Sequence, residues 1–324
     1  MVSLTLKGIQ DVHGFESRWK DFPAFIIGIT REIWEDRGVA RLHDYYAPDL
    51  IFRMASGIGQ GNKHVIAATL ATLAEFPDRE LLAEDVIWCG TPEKGMLSSH
   101  RVYCQATHTG HGEFGAATGK PVCFRAIADC HARANRIDDE WLVRDRSAIC
   151  TQLGLNPSDY ARTLSKKPFT PDQDRPGPYT GKGNDHAAGQ ELSDTLTRMM
   201  SADITVVRDR YDRACSTHQP GGYSARSYAA VEKFWIGLRA SFPSAEFQVD
   251  HQIGRDDNGL GRRAAVRWSL RGSHDGWGSY GPPTGAEVYI MGFTHVDFGP
   301  WGVRSEYTLF DEVAIWQQIF QHTG

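Results

Sequence analysis

The sequence predicts an α+β fold built twice in tandem. Three observations carry this. One register relates the two halves of the chain, apolar residues at helical spacing open each half, and runs of strand character close it. Helices first and strands afterwards place the helices on one face of an antiparallel sheet.

The repeat is read directly. Residues 101–108 align with 267–274, and both continue as H-x-G-x-G-x-x-G-x-x-T-G. The matches are His108/His274, Gly110/Gly276, Gly112/Gly278, Gly115/Gly281, Thr118/Thr284 and Gly119/Gly285, each pair 166 positions apart. The same offset carries on to Glu140/Glu306, Trp141/Tyr307 and Asp145/Asp311, and back to Phe76/Phe242 and Tyr45/Tyr211. The expected domains are an N-terminal arm (1–21), a first copy (22–155), a linker or wrapping arm rich in Pro, Gly, Asp and Lys (156–189), and a second copy (190–324).

Within the first copy, Phe25, Ile26, Ile29, Ile33 and Trp34 recur at helical spacing, so 22–46 is expected to be helical. A short strand follows at 50–53. Asn62 is placed to cap a helix over 63–76 that Pro77 stops. Strands are expected at 81–89, 97–107, 121–132 and 140–149, with 110–119 as a glycine-rich hairpin connection. The second copy repeats this order, with helices near 192–215 and 227–242.

Composition narrows the function. With 41% hydrophobic and 23% charged residues, the chain of 324 residues can bury ordinary cores. A net charge of −5 offers no basic field for nucleic acid and no polybasic membrane patch. No apolar run is long enough to span a bilayer, and the first residues lack the pattern of a secretory leader. The six cysteines form no CxxC pair or metal-ligand spacing, so they read as reduced core thiols of a cytoplasmic protein, with no metal site.

Three stretches resemble the SnoaL-like polyketide cyclase family, within the nuclear transport factor 2-like superfamily. They are REIWEDRGVARLHDYYAPDLIFR, the hairpin THTGHGEFGAATGKPVCFRAIADCH, and the closing DDEWLVRDRSAICTQLG. The second copy keeps HQPGG, GPPTG and SEYTLFDEVAIWQQI, and the resemblance spans about 260 of the 324 residues. It implies two cone-shaped domains, each a curved sheet wrapped around N-terminal helices with an apolar pocket. It also implies cofactor-free chemistry on a small-molecule ligand, as in relatives that are cyclases, dehydratases, isomerases or epoxide hydrolases. In the family's "RGID" element an aspartate serves as the acid. Here Ala128 and Thr294 take that place, and Asp129 falls one residue later on the opposite face.

Strand alternation nominates pocket residues. Val102, Cys104, Ala106 and His108 share the apolar parity, as do Trp268, Leu270, Gly272 and His274. On the closing strand Trp141, Val143 and Asp145 share a parity, as do Tyr307, Leu309 and Asp311. This makes His108, Asp145, His274 and Asp311 the expected acid–base residues. The expected substrate contacts are His100, Trp141, Trp235, Trp268 and Tyr307, with His218 added because HQPGG resembles the family's "HDP" element. An imidazole and a carboxylate in one apolar cavity suit proton transfer near neutral pH.

Three readings stay open at this point. The leading one is a cofactor-independent lyase or isomerase using His/Asp acid–base catalysis on a small apolar or carbonyl-bearing metabolite. The second is a non-catalytic small-molecule binder, motivated by the absent family acid. In the third, one copy is catalytic and the other structural, the two pairing within the chain, with self-association of the whole chain left open.

Overall fold

The computed structural model describes residues 12–166, 175–257 and 259–324. Most of the expected N-terminal arm and the middle of the expected linker therefore lie outside the described residues.

The first half opens with α1 (Phe22–Thr30), a π-helical turn (Arg31–Glu35) and a short α2 (Leu42–Tyr45). Strands β1 (Tyr46–Met54) and β2 (Gly57–Gln60) precede α3 (Asn62–Glu75). Then come β3 (Glu80–Thr91), β4 (Gly95–Thr107), β5 (Pro121–Arg133), β6 (Arg136–Arg144) and α4 (Arg146–Leu153). The second half has α5 (Pro157–Leu164), α6 (Ala187–Met200), α7 (Val206–Arg210), β7 (Tyr211–Gln219), β8 (Tyr223–Arg226) and α8 (Tyr228–Ser241). It closes with β9 (Glu246–Asp257), β10 (Gly261–Ser273), β11 (Glu287–Gly299), β12 (Gly302–Phe310) and α9 (Glu312–Thr323).

The fold is α+β in two tandem halves, as expected. Each half holds a six-stranded sheet, ordered β2-β1-β6-β5-β4-β3 and β8-β7-β12-β11-β10-β9. The sheets are mixed: β1 runs parallel to β6 and β7 parallel to β12, while the other neighbours are antiparallel.

Several element boundaries differ from expectation, each for a local reason. The first helix breaks near Arg37, whose φ of 61° is left-handed, and the Gly38 N–H closes onto the Glu32 carbonyl at 2.8 Å. Gly61, not Asn62, holds the N-cap position of α3, and the Asn62 side chain donates to the Tyr46 carbonyl at 3.2 Å. The closing strand stops at Arg144, because the Asp145 carboxylate accepts the Ala148 N–H and starts α4. In the second half, residues 211–215 belong to β7 rather than to a helix. The expected linker contains α5, whose Asn156 side chain caps it and which packs on α9.

Both faces of each sheet are buried. One face curls around its own helices, with Met96, Ala128 and Cys130 against Phe22, Phe25, Ile26 and Ile29. The other face meets the second sheet: Ile87, Leu97, Ile127, Trp141 and Val143 pack on Ile253, Ala265, Met291, Phe293 and Leu309. Polar links cross this apolar layer. Arg267 binds Asp129 at 2.9 Å, Ser99 bonds His295 at 2.9 Å, and Arg263 pairs with Asp85. Residues before α6 form a strap over one edge of it. There Tyr179 donates its N–H to Asp139 at 3.1 Å and its hydroxyl bonds His251 at 2.7 Å. The two copies thus pair within the chain.

Candidate functional site

The first cone is hollow. A cavity of about 460 Å³ opens between α3, β1, β6 and the glycine hairpin, with a smaller compartment of about 50 Å³ toward α1. Both compartments touch Trp34, Tyr46, Arg79, Glu140, Leu142 and Arg144. Three of these come from alternate positions of β6. Glu140, Leu142 and Arg144 therefore turn toward the helices, while Trp141 and Val143 turn toward the other sheet.

Glu140 is one of three buried acids lining this cavity, with Glu75 and Asp311. Among the described residues its carboxylate has one side-chain hydrogen bond, from the Cys130 thiol at 3.8 Å. Burial pushes its pKa up to about 7, against a smaller opposing pull from Arg144. Tyr46, 2% exposed, sits beside it, and burial together with the Glu140 charge holds its phenol well above the ordinary range. The site therefore joins a carboxyl able to exchange a proton near neutrality to a hydroxyl that stays protonated. His100 lines the inner compartment, where burial lowers its pKa to about 4 and keeps the ring neutral.

The second cone is full. Where the first has Ala68, Thr69, Val102 and Arg144, the same register places Phe234, Trp235, Trp268 and Phe310. Their rings pack at centroid distances of 5.9 Å for Trp235–Trp268, Trp268–Phe310 and Phe234–Phe310. A depression of about 270 Å³ remains at the mouth and ends on Phe234 and Phe310. Glu306, the counterpart of Glu140, is fully buried and does not line the depression at the mouth. It accepts from Trp235 Nε1 at 3.3 Å, Thr308 at 3.1 Å, Thr217 at 3.4 Å and the Tyr211 hydroxyl. Strand pairing matches Tyr211 with Tyr46, since Tyr211 faces Val303 as Tyr46 faces Ile137. The sequence pairing of Tyr45 with Tyr211 is thus one residue off.

The profile of the family described as SnoaL-like polyketide cyclase matches residues 25–153 and again 191–319. The chain belongs to this family, in two tandem copies. Among solved structures, IdmH of Streptomyces antibioticus, a candidate polyketide cyclase, is 20% identical, the match covering 42% of this chain and 100% of that one at a TM-score of 0.36. A candidate SnoaL-like polyketide cyclase of Jannaschia sp. CCS1 is 17% identical over 42% of this chain and 96% of its own, with a TM-score of 0.36. A candidate polyketide cyclase of Acidithiobacillus ferrooxidans is 18% identical over 40% and 92%, also at 0.36. No curated protein matches the chain significantly.

The residues expected from sequence fall in different parts of the structure. His108 and His274 are buried at the root of the glycine hairpins. Each bonds the threonine ten residues on, at 3.1 Å to Thr118 and 3.0 Å to Thr284, and stacks near Phe76 or Phe242. His108 also lies 3.2 Å from Glu75, whose carboxylate accepts the Glu113 and Phe114 N–H groups. Neither imidazole lines the cavities described above. They tie the hairpin to the preceding helix.

Asp145 and Asp311 cap α4 and α9, and Asp145 also lines a separate cavity of about 340 Å³ between the copies, together with His218 and Tyr307. Asp145 accepts from Ala148 and Ser147 and from the Gly221 and Gly222 N–H groups of the second copy. Asp311 caps α9 and binds Arg146 at 2.6 Å, reaching the rim of the first cone from the second copy. The parity assigned to the closing strands is the reverse of the observed one. Trp141 lies between the sheets, sandwiched by Arg53 at 4.3 Å and Arg267 at 4.1 Å. Tyr307 lies there too, under Arg101 at 3.5 Å and stacked on His218 at 4.4 Å. Trp235 and Trp268 do face a cone interior, but as its filling.

His100 alone of the expected contacts lines the hollow cone. Glu140, Tyr46, Arg79 and Arg144 were not expected there. In the sequence Glu140 is half of a matched pair with Glu306, on the parity opposite to Trp141 and Val143. Among the described residues no three His, Cys, Asp or Glu side chains converge as metal ligands, and no helix is long and apolar enough to cross a membrane.

Proposed function

We propose that the first cone carries out cofactor-independent proton transfer on a small, carbonyl-bearing metabolite, with Glu140 as the acid–base group, and that the second cone is its structural partner. The reading is of lyase or isomerase type. The observation that carries it is the contrast at one repeated position. Glu140 faces an open cavity with a pKa near 7, whereas Glu306 is bonded on all sides in a filled cone. Ionised Glu140 removes a proton from carbon next to the carbonyl, and the Tyr46 hydroxyl donates to the oxygen on which charge develops. Returning the proton from Glu140 to another carbon, or to a leaving group, completes an isomerisation or an elimination. Six unpaired thiols suit a reducing compartment, so the site of action is taken as the cytoplasm.

The test is turnover of a metabolite captured by the purified chain, in Glu140→Gln and Glu306→Gln. Loss by a factor of about 10² to 10⁴ is expected in the first, with the second staying within a few-fold of wild type. Undiminished turnover in Glu140→Gln, or equal loss in both, would sink the proposal.

A further inference from the structure

Proton transfer at Glu140 leaves two cations of the first cone unexplained. Arg79 and Arg144 both line the cavity. Arg144 stands on the same face of β6 as Glu140, four residues further on, so their Cα atoms are about 13 Å apart. Among the described residues its guanidinium has no hydrogen bond or ion pair. Its electrostatic neighbours are Arg79, Glu113, Cys104 and Glu140. Arg79 is 3% exposed; it touches the Cys104 sulfur at 3.7 Å, and its buried Nε has no partner. Burial and the Arg79 charge push the Arg144 pKa down, the direction expected of a cation short of counter-charge.

The fold does not require either cation. In the filled cone the same register has Ala245 in place of Arg79 and Phe310 in place of Arg144. The nearby acids are otherwise occupied. Glu75 is held by backbone N–H groups and His108, while Asp311 and Glu113 bind Arg146 at 2.6 and 3.3 Å. The space between Arg144 and Glu140 is walled by Leu142, Phe76, Phe124 and Phe52.

We infer that the ligand of the first cone is a carboxylate, its acid group bound by Arg144 and Arg79 and its apolar body lying along Leu142 toward Glu140. This rests on the first cone being the functional site. A planar guanidinium matches a carboxylate in two-point geometry. A monoanion suits the site better than a phosphate dianion, which would bring more negative charge close to Glu140 and Glu113.

The experiment is a calorimetric titration of the full chain with 2-naphthoate, methyl 2-naphthoate and 2-naphthyl phosphate. Saturable binding of 2-naphthoate is expected, with the ester and the phosphate each weaker by about tenfold or more. Arg144→Leu should lose about tenfold or more in carboxylate affinity and melt no lower than wild type, since it removes a half-buried, unpaired charge at a position where the other copy holds Phe310. Arg144→Lys, which keeps the charge but not the two-point geometry, should bind 2-naphthoate more weakly than wild type and more tightly than Arg144→Leu. No saturable binding of 2-naphthoate at millimolar concentration, an ester or phosphate that binds as tightly, or unchanged affinity in Arg144→Leu would overturn the inference. Glu140→Gln separates the two claims. If it binds 2-naphthoate yet turns over substrate normally, the catalytic role of Glu140 fails while carboxylate recognition stands.

Discussion

Glu140 and Glu306 occupy the same place in the two copies, each beside a matched tyrosine (Tyr46 and Tyr211), but their other surroundings differ. Glu140 meets a cavity and one thiol, whereas Glu306 accepts from Tyr211, Trp235, Thr217 and Thr308. One carboxyl is left free to act, and the other is fixed as part of a core.

Opposite stability effects follow for the matched Gln variants. In Glu306→Gln the amide NH₂ opposes donors that need an acceptor, at an expected cost of about 1–3 kcal/mol in urea denaturation. Glu140→Gln should have the reverse sign above neutrality. The folded pKa of Glu140, about 7, lies above the ordinary 4.5. Its contribution to stability is therefore complete below 4.5 and lost as pH rises through 7. Glutamine lacks that loss, so the variant should gain on wild type between these limits, by up to about 3 kcal/mol at pH 8.

Substrate turnover should follow the same ionisation. With Glu140 acting as base, kcat/KM of wild type is expected to rise with pH to a plateau, with a midpoint near 7. A pH–rate profile flat from 5 to 8 would remove Glu140 from the proton transfer.

Exchanging the residues that empty or fill the cones should exchange their properties. Thr69→Trp installs at the first cone the ring that Trp235 supplies to the second, and it should weaken 2-naphthoate binding by about tenfold or more. Trp235→Thr should open a void in the second cone and cost about 3–5 kcal/mol without affecting turnover. Titration and chemical denaturation of the two variants provide the check.

The seam between the copies should be equally sensitive. Asp129 is 1% exposed, and Arg267 at 2.9 Å is its counter-charge. Arg267→Met strands that carboxylate and removes one of the two cations stacked on Trp141, with an expected loss of about 3–5 kcal/mol in urea denaturation. Replacing both residues (Arg267→Met with Asp129→Asn) should recover part of it. A single variant as stable as wild type would show that the pair contributes nothing to the seam.

The duplication, the α+β order and most strands were legible because they depend on spacing along the chain. The position of the site was not, and the closing strand shows why. Alternation identifies two faces but not what covers them. On β6 the apolar face, Trp141 and Val143, packs against a second sheet, and the more polar face, Glu140, Leu142 and Arg144, is the one that lines the cone. A sheet covered on both sides inverts the usual reading of polar as outward. The histidines misled for a related reason: buried at a strand end beside glycines, His108 and His274 serve the hairpin. The filling of the second cone was readable only in hindsight, from Trp235, Trp268 and Phe310 standing where Thr69, Val102 and Arg144 stand in the first.

The most direct test needs no substrate. The side-chain carboxyl of Glu140 can be followed by carbon-13 NMR in glutamate-labelled chain, assigned by its loss in Glu140→Gln, and titrated with pH. A midpoint near 7 that moves when 2-naphthoate fills the first cone is the expected result. A midpoint in the ordinary carboxylate range, indifferent to ligand, would contradict a poised acid in an open cone.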